Sequence, residues 1–159
     1  MWQPAAAAVR TPWTTGAAQT MKQEMVLGQD TLPYTQAGGE AKLRITQTVG
    51  LKAQEAEQQT NQEANFMNVG GSSYDRLTVE GRLSLHNYKA DAATVEITKY
   101  LTGEVTSTIP DGEVVKMPRV RYDYWNWMGN PYSKITWKVP VAPGQDAEVK
   151  YVFRVLLRR

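Results

Sequence analysis

Residues 76–87 read RLTVEGRLSLHN, and the alternation within them decides the fold. Leu77, Val79, Leu83 and Leu85 fall on one side of an extended chain, with Gly81 between them. Thr78, Glu80, Arg82 and Ser84 fall on the other. Successive side chains of a strand point to opposite faces, so this segment is a half-buried antiparallel strand.

Working outward, the same period recurs. In ATVEITKYL, Ala93–Leu101, the residues Val95, Ile97 and Leu101 share a face. KADAA, between the two segments, offers the turn-compatible Asp91, which makes the pair a hairpin. KITWKVPV, Lys134–Val141, alternates Ile135, Trp137, Val139 and Val141, and PGQD follows as a turn with Pro143 and Gly144. In AEVKYVFRVLL, Val149, Tyr151, Phe153, Val155 and Leu157 form one face. Val152 and Leu156 on the other predict a central strand. Pro140 lacks a ladder donor and predicts an edge or bulge at that end of its strand.

The first half is less regular. It predicts a short strand around Met25–Leu27, a loop with Asp30, Pro33 and Gly38–Gly39, and a longer strand from Lys42 to about Leu51. Lys52–Asn65, KAQEAEQQTNQEAN, favours helix by intrinsic propensity but has no apolar stripe to pack. Helix and solvated strand both remain open there. Asn68–Ser73, NVGGSS, reads as a flexible connector. Short strands, turn signals and scarce helical periodicity together predict an all-β antiparallel β-sandwich of immunoglobulin-like or related topology. Residues 1–20 read as an irregular N-terminal extension and 21–159 as the sandwich domain.

The chain has 159 residues, 18 basic and 16 acidic, for a net charge of +2. That length buries a core without staples, and that balance gives no case for nucleic-acid binding. With no cysteine and a single histidine, thiol chemistry, disulfides and ordinary zinc sites are excluded. No apolar run is long enough to span a bilayer as a helix. His86, with Ser84 and Asp91 as the nearest partners, gives no nucleophile elbow and reads as a solvated strand histidine. Asp111, Glu113 and Asp123 are the nearest approach to a carboxylate cluster and lack calcium-loop spacing. Neither cofactor nor catalytic residue is expected. Arg154, Arg158 and Arg159 make a basic end, read as charges that keep a sheet edge from pairing.

Four segments resemble a known family. PWTTGAAQ, Pro12–Gln19, followed by LGQDTLPYTQAGGEAKLRIT, Leu27–Thr46, looks like a signature of the bacterial mucoidy-inhibitor-like family of unknown function. Leu77–Leu101 is similar to its strand–N-x-K–strand hairpin, with Asn87 and Lys89 at the matching places. Thr136–Val155 is similar to its closing hairpin. The resemblance is to the C-terminal domain, so the chain is expected to be a fragment without its targeting signal. It implies a β-sandwich in the cell envelope or secreted, with no established catalytic activity.

The pattern breaks between Gly103 and Lys134. There RYDYWNWMGNPY, Arg121–Tyr132, concentrates Tyr122, Tyr124, Trp125, Trp127 and Tyr132. One reading makes Trp125 and Trp127 plugs at the open end of the sandwich. The functional reading makes these five aromatics a surface for a protein or a neighbouring domain. A carbohydrate platform built on Tyr124, Trp125, Trp127 and Tyr132 is the alternative.

Overall fold

The computed structural model describes residues 10–45, 50–117 and 130–159. The chain divides into two compact units, Met1–Val49 and Gly50–Arg159. The division therefore falls further along than the 20/21 boundary read from the sequence, because residues within the extension already pair. In the first unit, β1 (Gly16–Lys22) and β2 (Met25–Leu32) form an antiparallel hairpin. Asp30 lies within β2 rather than in a loop. Its carboxylate accepts the amides of Thr31 at 2.8 Å and Arg44 at 2.6 Å. No strand occupies 41–45, so the predicted strand from Lys42 is not formed there.

The second unit is the β-sandwich. Its strands are β3 (Leu51–Val69), β4 (Ser72–Asn87), β5 (Ala93–Thr102), β6 (Glu104–Ile109), β7 (Glu113–Met117), β8 (Tyr132–Val141) and β9 (Asp146–Arg158). One sheet has the order β3-β4-β9-β6 and the other β5-β8-β7, with every pairing antiparallel. Among the described residues, seven strands split four and three, as in an immunoglobulin constant domain. The connectivity differs: the last strand, β9, lies between β4 and β6, while β7 borders β8.

The alternation read from the sequence fills the core. Leu85 of β4 and Val149, Tyr151 and Phe153 of β9 meet Leu101 of β5 and Ile135, Trp137, Val139 and Val141 of β8. Each large apolar side chain buried here contributes about 1.5–3 kcal/mol. Trp137 is the central plug. Its ring lies 6.0 Å from that of Tyr151, and its Nε1–H donates to the Pro110 carbonyl at 3.1 Å. Pro140 faces solvent where β7, which pairs only with residues 132–136, no longer flanks β8. The missing donor therefore costs no ladder bond.

Lys52–Asn65 is strand throughout. Helix propensity loses because the segment has no apolar face for a helix to bury, whereas β4 offers it a ladder. Nor is NVGGSS a loose connector. Gly70 and Gly71, with φ of 57° and 79°, make a two-residue hairpin loop between the paired Val69 and Ser72. Gly103, with φ of 147°, takes the chain from one sheet to the other; a Cβ there would lie 2.6 Å from the Arg154 carbonyl oxygen.

Two asparagines secure the ends. The buried Asn87 side chain donates to the carbonyls of Asp91, Val141 and Ala142 at 3.0, 3.1 and 3.2 Å and accepts from the Lys89 amide. It ties the β4–β5 connection to the β8–β9 turn. Asn130 gives and receives at the Leu156 backbone, at 2.7 and 2.6 Å, beside β9 beyond the last residue that β6 pairs. The basic end of β9 is thus not the sheet edge expected for Arg154 and Arg158. β4 runs along its whole length on one side, and Asn130 takes a place on the other.

Candidate functional site

The three-stranded sheet carries an aromatic face toward solvent. Directly opposed residues of an antiparallel pair share a face. Thr102, Tyr132 and Met117 make one row, Tyr100, Lys134 and Val115 the next, and Thr98, Thr136 and Glu113 a third. Tyr100 and Tyr132 stack diagonally, with ring centroids 6.1 Å apart and planes 14° from parallel. They are 50% and 37% exposed, and Val115 is 40% exposed beside them. Ser133, next to Tyr132, faces the interior and donates its hydroxyl to the Gly103 carbonyl at 2.8 Å, which helps fix the register that holds Tyr132 outward.

Of the five aromatics singled out in the sequence, Tyr132 is the one the structure describes. Tyr122, Tyr124, Trp125 and Trp127 lie outside the described residues, as does Asp123. Tyr100, Val115 and Met117 join Tyr132 and were missed in the sequence. Tyr100 stood on the polar side of an alternating strand, and only the β5–β8 register brings it to Tyr132.

His86, read from the sequence as a solvated strand histidine, takes as its partner neither Ser84 nor Asp91, the nearest candidates in the chain. Its Nδ1 lies 2.6 Å from Asp146 Oδ1, the residue directly opposite on β9. Asp91 instead lends its carbonyl to Asn87. Ser84 faces Glu148. Among the described residues, no group of three or more histidine or acidic side chains is placed to hold a metal ion.

The opposite, four-stranded sheet has an open depression of about 660 Å³ over Ala56, Gln58, Glu80, Arg82, Lys150 and Val152. Its cations are engaged: Arg82 and Lys150 reach Glu148 at 3.3 and 3.1 Å.

A second polar cluster closes one open side of the sandwich. Lys99 points inward from β5, on the same face as Val95, Ile97 and Leu101, and binds Glu55 and Glu57 of β3. The Tyr151 hydroxyl contacts the same two carboxylates at 2.8 and 2.6 Å. Hydrogen bonds from Lys99 and then Tyr151 hold the Glu55 carboxyl below its ordinary range. Burial depresses the Lys99 ammonium, but its hydrogen bonds to Glu55 and Glu57 outweigh this and leave it raised. Burial, reinforced by the two carboxylates, pushes the Tyr151 phenol far up. The signal for this cluster was a lysine at an apolar position of an alternating strand.

No family model, no curated protein and no solved structure matches this chain.

Proposed function

We propose that this chain is a non-enzymatic interaction domain whose aromatic sheet face seats a protein partner or a neighbouring domain. One observation carries the reading. Tyr100 and Tyr132 stay exposed and stacked although Trp137, Tyr151 and Phe153 already complete the core. Exposed tyrosines add apolar area and a polar tip at low conformational cost, which is why they concentrate in interfaces. The Tyr- and Trp-rich segment adjoins Tyr132 in sequence and would extend the same chemistry. The resemblance to an envelope family supports placing the domain in a bacterial envelope or outside the cell.

A carbohydrate is the second reading. The near-parallel rings of Tyr100 and Tyr132, with Thr98, Thr136 and Glu113 in the neighbouring row, favour it. A photo-crosslinking residue at position 132, with one at position 148 on the opposite sheet as control, separates the two in envelope material. A discrete protein adduct at 132 that disappears with Tyr100→Ser supports the protein partner. Glycan-array binding abolished by Tyr100→Ser and Tyr132→Ser supports the sugar. Absence of both the adduct and the glycan binding overturns both readings.

A further inference from the structure

β3 is the longest strand, at 19 residues, yet it contributes nothing to the hydrophobic cluster, and most of its side chains face solvent. Its ladder with β4 is interrupted twice, between Gln59 and Asn61 and between Glu63 and Met67. Besides that ladder and two hydroxyl bonds, Ser73 Oγ to Asn65 Oδ1 at 2.8 Å and Thr60 Oγ1 to the Thr78 carbonyl at 3.4 Å, β3 is fastened by three polar clasps centred on carboxylates.

The first is Glu55 and Glu57, held by Lys99 of β5 and Tyr151 of β9. β4 presents Gly81 and Leu83 opposite them and no ionisable group. The second is Asp75 of β4, buried, which accepts the Asn65 amide and the Gln62 side-chain amide, both at 2.9 Å. Arg159 is the cation nearest in effect. The third is Glu63, which receives Arg76 through two bonds of 3.0 and 2.6 Å while the guanidinium lies 3.7 Å over the Phe66 ring. Arg154 of β9 adds a weaker attraction.

We propose that β3 is an acid-releasable edge strand: neutralising Glu55, Glu57, Glu63 and Asp75 detaches Leu51–Val69 while the remaining six strands stay folded. A solvent-exposed ladder without apolar burial belongs to the low-stability end of a structure and opens locally. The core is assembled from β4, β5, β8 and β9 and does not need β3. After protonation, Lys99 and Arg76 keep their charge but lose their counter-charges, so the geometry that held β3 becomes unfavourable.

The direction in pH follows from the partners. Hydrogen bonds from Lys99 to Glu55, from Arg76 to Glu63 and from the Asn65 amide to Asp75 favour the ionised forms in the folded state. The anchoring is therefore present above the ordinary values of 4.5 for glutamate and 3.8 for aspartate. It is lost as pH falls through the lower folded values. Release bares the hydrogen-bonding edge of β4, and an unpaired edge accepts another strand.

Hydrogen exchange on the intact chain tests this, comparing about pH 7 with about pH 3 after correction for intrinsic rates. Protection over residues 53–67 is expected to fall about tenfold or more, while residues 135–139 and 149–153 change less than about twofold. The variant Glu55→Gln/Glu57→Gln/Glu63→Gln/Asp75→Asn is expected to reproduce the release near neutral pH, and Glu148→Gln is expected to leave β3 unchanged. Simultaneous loss of protection in β3, β8 and β9, retention of β3 in acid, or a quadruple variant that keeps β3 protected would each overturn the proposal.

Discussion

The ring of Tyr151 lies across the bare backbone of Gly81, its directly opposed partner on β4; a Cβ at Gly81 would come 2.1 Å from the ring's Cζ. The glycine between Val79 and Leu83 is thus a seat for a tyrosine that crosses β4 to reach the carboxylates of β3. A missing side chain on one strand is covered by an aromatic from its neighbour.

Gly81→Ala is expected to destabilise the sandwich by about 1–3 kcal/mol, because the ring must leave its seat and its hydroxyl loses Glu55 and Glu57. Chemical denaturation should show a lower midpoint at unchanged slope. Wild-type stability in this variant would mean that the ring has another place to go.

Asn87→Ala should cost about 1–3 kcal/mol, since carbonyls of Asp91, Val141 and Ala142 lose a shared donor in a covered position. Asn87→Asp should be no better, because a carboxylate cannot donate to them. Thermal melting of the two variants side by side checks this.

Alkaline stability should fall with Tyr151 and Lys99. Both are raised in the folded state, Tyr151 mainly by burial and Lys99 by its carboxylate bonds in excess of burial. Their contributions are present below the ordinary values of 10.0 and 10.5 and decline as pH rises beyond them, because the unfolded chain releases its protons first. Tyr151→Phe should flatten the loss of stability above about pH 10. Denaturation midpoints across that range, with and without the substitution, decide it.

Tyr100→Ser combined with Tyr132→Ser should change stability by less than about 1 kcal/mol, as befits exposed side chains that the core does not use. A larger loss, measured by urea denaturation, would make the aromatic face a structural element and remove the main support for its role in binding.

The second half of the sandwich was legible because its strands are half-buried: Leu85, Trp137, Val149 and Tyr151 recur at period two and are buried where that period puts them. β3 was not legible in this way. A polar edge strand has no apolar rhythm, so its Ala, Glu and Gln suited helix equally until β4 supplied a ladder. The site was half visible. Tyr132 could be named from composition, but Tyr100 could be joined to it only by register.

By itself, the sequence determined which side of each regular strand turns inward, where the Pro143–Gly144 turn falls, and that no thiol chemistry is available. These depend on side-chain period and residue type, which are local. Tertiary structure alone decided the exchange of β7 and β9 relative to an immunoglobulin domain. It also decided the seating of Tyr151 on Gly81, the pairing of His86 with Asp146, and the inward reach of Lys99 to Glu55 and Glu57. Each joins residues distant in the chain, and strand order and register set which ones meet.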